Sequence, residues 1–126
     1  MAIKSFALFK NTQIGTQGVA GTGLSDVIDV RDLSPWQASL LYTIAGTDGA
    51  ATAGSSNFMY LGCSTRNGNF VLCGTFGTQG ASPQSGIKSL APPPNTQLMV
   101  APFMKIQAVS GTSNALLLTA ELSLIV

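Results

Sequence analysis

Residues 97–126 read QLMVAPFMKIQAVSGTSNALLLTAELSLIV, and this stretch decides the fold class. In its second half Leu116, Leu118, Ala120, Leu122, Leu124 and Val126 fall on alternate positions, with Thr119, Glu121 and Ser123 between them. A period of two belongs to a strand with one buried and one wet face. A helix needs apolar residues at three- and four-residue spacing, and Thr119 and Glu121 would interrupt its stripe. In the first half Leu98, Val100, Met104, Ile106 and Ala108 share one face. Lys105 and Gln107 take the other, together with Phe103 and Val109. Ser110-Gly111-Thr112-Ser113-Asn114 separates the two runs. The pair reads as a long antiparallel hairpin that forms the spine of a β-sheet core.

Upstream, NFMYLGCS (57–64) and NFVLCGTF (69–76) flank Arg66-Asn67-Gly68. Asn-Gly between apolar runs is a strong hairpin signal, because both residues tolerate the positive φ of a tight turn. In WQASLLYTIAG (36–46), Trp36, Ala38, Leu40, Tyr42 and Ile44 alternate with Gln37, Ser39, Leu41 and Thr43. This predicts a half-buried strand anchored by Trp36, with Leu40, Tyr42, Leu118 and Leu122 also in the core. Residues 26–31, DVIDVR, form a short strand, and Leu33-Ser34-Pro35 turns the chain. Residues 3–10, IKSFALFK, form a first strand with Ile3, Ala7 and Phe9 on one face and Lys4, Phe6, Leu8 and Lys10 on the other.

Three connections carry no periodicity. Residues 11–25, containing Gly15, Gly18, Gly21 and Gly23, read as a loop or an extended arm longer than usual connections. Residues 46–55 form a second loop, and residues 77–95 a third that holds Pro92, Pro93 and Pro94. The triple proline cannot donate to a sheet ladder and favours a stiff extended segment. Gly-Thr-Gln-Gly occurs at 15–18 and again at 77–80, but the flanking residues do not match over any repeat unit. The whole chain, 1–126, is expected to be one all-β domain. Its expected form is an antiparallel β-sandwich, jelly-roll-like, with long Gly/Pro-rich loops and a Gly-rich arm or loop at 11–25.

Composition narrows the function. Charged residues make up 9% and the net charge is +1, far below the roughly 25% charged residues of ordinary soluble domains. Attraction to nucleic acid or to an anionic membrane is thereby removed as an organising principle. A surface so poor in charge must be covered by neutral polar residues or by neighbouring protein, since low net charge protects little against self-association. No stretch approaches the apolar length of a spanning helix, and the N-terminal residues lack a signal-peptide core, so synthesis in the cytoplasm is expected.

With His 0 in the sequence, a Ser-His-Asp triad, a Cys-His pair and a histidine metal site are impossible. The carboxylates are Asp26, Asp29, Asp32, Asp48 and Glu121. On an extended stretch Asp29 points opposite to Asp26 and Asp32, which lie too far apart for an acid–base pair. No calcium-loop spacing is present, so strand caps and turns are the expected roles. Gly21-Thr22-Gly23 is too short for a phosphate loop. Phe6, Tyr60 and Phe76 could stack on a sugar but read as core. No catalytic, cofactor-binding or metal-binding residue is assigned. Cys63 and Cys73 would lie opposite each other around a three-residue loop centred on Gly68, and on opposite faces around a two-residue Asn67-Gly68 turn. Cytoplasmic synthesis favours free thiols.

The order of features resembles small virion proteins of tailed bacteriophages. The resemblance rests on Ser25-Asp26-Val27-Ile28-Asp29-Val30-Arg31-Asp32, on the 36–46 strand with Gly46-Thr47-Asp48, and on the closing segments from Val100-Ala101-Pro102-Phe103 to Val126. It implies a non-enzymatic capsid decoration (cement) protein without cofactors, located in the virion. Such a protein would be a homo-oligomer, most often a trimer, seated on a major capsid protein or another shell protein. Tail or baseplate components and host-glycan-binding sandwich modules are the alternatives.

Overall fold

A computed structural model of the chain describes residues 3–16, 19–33, 37–46, 56–79, 84–89, 101–111 and 115–126. Its strands are β1 (Ile3–Ile14), β2 (Thr22–Leu24), β3 (Ile28–Asp29), β4 (Gln37–Gly46), β5 (Ser56–Cys63), β6 (Val71–Gln79), β7 (Gln84–Ser89), β8 (Phe103–Ser110) and β9 (Leu116–Ile125). They form two antiparallel sheets. One runs β1-β9-β4-β7, and the other runs β2-β8-β5-β6 with β3 also paired to β8. The apolar faces of both sheets share one buried cluster, and the Tyr42 and Phe58 rings meet across it at 5.5 Å. The all-β, sandwich-like class read from the sequence is therefore present.

The alternation rule holds where it is strongest. Leu116, Leu118, Leu122 and Leu124 in β9 and Ala38 and Leu40 in β4 are fully buried, and so are Ile106 and Met104 in β8. Glu121, Thr119 and Lys105 lie on the opposite sides of their strands. Strand β9 is central, paired along its length to β1 and to β4, so its backbone groups are satisfied on both edges.

The expected hairpin of β8 with β9 does not form, because the two strands belong to different sheets. The chain passes from one sheet to the other between Ser110 and Leu116, and the two apolar faces meet across the core. A hairpin would have laid both faces on one side of a single sheet, leaving them to find another cover. Periodicity tells which residues face inward but not which strand lies alongside. The hairpin around Asn67-Gly68 does form, from β5 and β6, and Gly62 pairs with Val71 across a connection longer than either expected turn.

Three further readings are corrected. Residues 84–89, taken as loop, are β7, which pairs with β4 from Ser39–Ser89 to Ile44–Gln84. Its Ser- and Gly-containing sequence shows no apolar alternation, and the pairing rests on backbone groups. The face assignment in residues 3–10 fails because β1 carries register shifts between Ala7 and Phe9 and between Phe9 and Thr12. Each inserted residue moves the chain to the other face. Phe6 and Phe9 thus both pack inward, Ile3 is 66% exposed, and Asn11 takes a φ of 49°.

The segment 11–25, expected as a loop or an extended arm, is the third correction, since parts of it are strand. Residues 11–14 finish β1 and residues 22–24 are β2. Gly21 N donates to Ser110 Oγ at 2.9 Å, and Ser110 N donates to the Gly21 carbonyl at 2.9 Å. Ser25 N donates to the Ile106 carbonyl, while Ile106 N donates to Ser25 Oγ, each at 2.9 Å. The segment is held by hydrogen bonds to the β8 edge more than by its apolar side chains: Ile14 is buried, but Val19 and Leu24 are exposed. A Cβ on Gly21 would fall on the Gly15 backbone, so the chain crosses itself here at a distance only glycine permits. Trp36, Asp48, Leu98, Val100 and the triple proline lie outside the described residues.

Leu118 tests the assigned face of the central strand. Leu118→Ala is expected to destabilise the fold by about 2–5 kcal/mol in urea unfolding, the range of buried leucine truncations. Wild-type stability would place that side chain on the wet face.

Candidate functional site

Two places on the outer surfaces bring charged side chains together. The first lies at the end of the sheet where β3 and the β5–β6 connection meet β8. Ile28–Asp29 pairs with Met104–Phe103, and Cys63 pairs with Phe103 from the other side. Alternation puts Phe103 on the wet face of β8, yet it is only 6% exposed. Its cover is cationic: the Arg31 guanidinium lies 4.9 Å from the ring centroid and that of Arg66 lies 5.4 Å away. Asp29 bridges the same pair, with Arg31 Nη2 at 2.7 Å and Arg66 Nη2 at 3.7 Å from its Oδ2. Lys105, next along this face of β8, sits over the Phe70 ring at 4.5 Å.

The cluster joins three pieces of chain: β3 through Asp29, the β5–β6 connection through Arg66, and β8 through Phe103. Hydrogen bonds from the Arg31 side chain, then from its backbone N–H, hold the Asp29 carboxyl at about 2, below its ordinary 3.8. Each cation already has an aromatic face, and both guanidiniums share one carboxylate. What the arrangement does chemically is to fasten, and it leaves no acid or base poised for transfer.

The second place is a shallow groove of about 380 Å³ on the outer face of the β1-β9-β4-β7 sheet. Ala7, Leu41, Thr43 and Thr119 line it, with Lys10 and Glu121 as its two charges. One cross-strand row, Ala7–Glu121–Leu41–Ile87, spans all four strands beside it. Leu41 is 43% and Ile87 64% exposed. Lys10 reaches this face because of the β1 register shift, which moves it away from Phe6 and Leu8. Thr119 Oγ1 accepts the Asn11 backbone N–H at 2.9 Å, fixing the second irregularity of β1 beside the groove.

The residues weighed from the sequence are scattered. Asp29 is in the cationic cluster and Glu121 in the groove, on different sheets. Tyr60 and Phe76 are buried and Phe6 is half-buried, so none of them offers a ring face for sugar stacking. Burial pushes the Tyr60 hydroxyl up to about 12. Gly23 packs over Ile14 and Phe9 and serves the core. Cys63 and Cys73 are both free. Cys73 is the extra residue between the Leu61–Leu72 and Tyr60–Gly74 pairs, so neither expected register applies. The Cys63 thiol is held below its usual range, chiefly by the Thr65 backbone N–H. Among the described residues no three His, Cys, Asp or Glu side chains cluster as a metal site, and no helix is long and apolar enough to cross a membrane.

In the sequence Arg66 stands only beside the Asn67-Gly68 turn, and its place in this cluster is not apparent there. The available signal was Phe103, an aromatic on the wet face of a strand that needs a cover. Compared with known proteins, the chain matches no family and no curated sequence.

The ion pair sets a pH dependence. A carboxylate with a depressed pKa adds stability above its unfolded value and loses it as pH falls through the folded one. The Tm advantage of wild type over Asp29→Asn is therefore expected to be constant near neutrality and to shrink as pH drops from 3.8 toward about 2. Thermal melts of both proteins across that range check it. A difference that stays unchanged to the acid end would mean that the pair contributes nothing.

Proposed function

We propose that the chain is a non-enzymatic structural subunit of a virus particle, a decoration or cement protein of a bacteriophage capsid, which works by associating with copies of itself and with a shell. The observation that carries this reading is the strand order. If β2 and β3 are counted as one interrupted edge strand, the sheets are β1-β9-β4-β7 and β2/β3-β8-β5-β6. Successive strands then alternate between the sheets except at the β5–β6 hairpin, an order that supports reading the chain as an eight-stranded jelly roll. Jelly rolls serve viral capsid proteins, lectins and cupins, and this step is an analogy of fold.

The residues discriminate among those uses. A chain with no histidine does not suit the histidine-rich metal centre of a cupin. A lectin-like use is disfavoured by the buried positions of Tyr60 and Phe76. Shell attachment is favoured by exposed aliphatic side chains, Ile3, Leu41 and Ile87 on one sheet and Leu24, Val71 and Leu72 on the other. Charge at 9% of residues leaves little long-range repulsion between copies.

Sedimentation velocity of the purified chain, with mass spectrometry of purified virus particles, tests the proposal. The expected results are a multimer in solution and the chain among the particle proteins. A monomer over a wide concentration range that binds no shell would contradict it.

A further inference from the structure

We infer that the outer face of the β1-β9-β4-β7 sheet is a self-complementary contact that takes a second copy of this chain across a two-fold axis. The inference rests on the structural-subunit reading above and names the surface that reading leaves open. A two-fold contact is isologous: the same patch meets itself, so each feature on it must find its complement elsewhere on that patch.

This face carries such complements in two independent ways. The first is charge. Lys10 and Glu121 line one groove, both are exposed, and neither has an ion-pair partner among the described residues. Each would meet the other's counterpart when two faces are brought together, giving a reciprocal pair of bridges. The two described charges lining the groove sum to zero, which leaves little repulsion between facing copies. The second complement is shape. The groove is a concavity of about 380 Å³, and Ile87, 64% exposed, stands at the β7 end of the row that passes beside it. Ile87 of each copy is the apolar knob, and the partner copy's groove, lined by Ala7 and Leu41 among others, is where it seats.

The rest of the face suits burial. Its other outward residues are small or neutral, with Ser5, Ser39, Thr43, Thr119 and Ser123 among them. Ser5 and Ser123 already share a hydrogen bond at 3.3 Å, and Thr119 accepts from Asn11. Such polar groups enter an interface with partners in place and add little desolvation cost. The opposite outer face lacks this reciprocity. Its cations Arg31, Arg66 and Lys105 are engaged with Phe103 and Phe70, and Asp29 is spent on the two arginines. The contact closes a dimer, where the virion-protein resemblance implies a trimer. Larger assemblies would add a second, different contact.

Charge reversal tests the reciprocity. Sedimentation equilibrium is run on wild type, Lys10→Glu, Glu121→Lys, the double reversal Lys10→Glu/Glu121→Lys, and Ile87→Lys, with circular dichroism checking that each folds. The wild type is expected to dimerise, and each single reversal to weaken the dimer by roughly tenfold or more, as mispaired charges at a desolvated contact do. The double reversal is expected to restore it, because both bridges re-form with opposite polarity. Ile87→Lys is expected to weaken it without rescue by either charge change, and it remains informative should Glu121→Lys fail to fold. A wild-type multimer that all four variants leave intact would overturn this contact while leaving self-association in place. A wild-type chain that stays monomeric would overturn the contact itself, and the wider reading falls only if that chain also binds no shell.

Discussion

Strand β9 is paired on both edges and apolar on one face, and the rest of the molecule is arranged to satisfy it. Its backbone bonds β1 on one side and β4 on the other, while Leu116, Leu118, Ala120, Leu122 and Leu124 project from a single face. That row must be buried, at roughly 1.5–3 kcal/mol for each large side chain. The only surface that fits is another sheet with the same alternation. Met104, Ile106 and Ala108 of β8 with Phe58 and Tyr60 of β5 supply it. The placement of β8 and β9 in separate sheets follows, because it delivers the two most regular apolar strands of the chain to opposite sides of one core.

With the apolar alternation used inward, the outer faces are left with serine, threonine, a few aliphatics and very few charges. The described charges that do form ion pairs gather at one end of the β8 sheet, where they cover Phe103 and tie β3 and the β5–β6 connection together. The other sheet keeps Lys10 and Glu121 beside a shallow groove with no such task. Among the described residues no three His, Cys, Asp or Glu side chains gather on either face. The proposed role in subunit contacts rests on these faces.

Much of the fold was legible in residues whose side chains alternate. Ala38, Leu40, Tyr42 and Ile44 in β4, and Leu116 to Leu124 in β9, were assigned inward from spacing alone and are buried. What spacing cannot carry is the identity of the neighbouring strand. The Ser110 to Asn114 stretch suits a tight turn and an arch equally, so the hairpin was the nearer but incorrect reading. Bulges are equally silent. The extra residue at Leu8 brings Phe9 inward and Lys10 outward, and nothing in IKSFALFK marks it. The β2 and β7 strands are held by backbone bonds to β8 and β4, which glycine- and serine-rich sequence does not advertise. Of the surface features, Glu121 was visible as a wet-face residue. Its company with Lys10 was not, because it depends on the register shift.

The arrangement of β8 and β9 in separate sheets is tested most directly by backbone proton contacts in NMR spectra of the labelled chain. Ala120 is expected to show cross-strand contacts to Tyr42 on one side and Phe9 on the other, and Ala108 to Phe58 and Gly23. Backbone contacts running directly between residues 103–110 and 116–125 would show the two strands paired as a hairpin, and would contradict the two-sheet arrangement on which the core, the outer faces and the proposed self-association surface all depend.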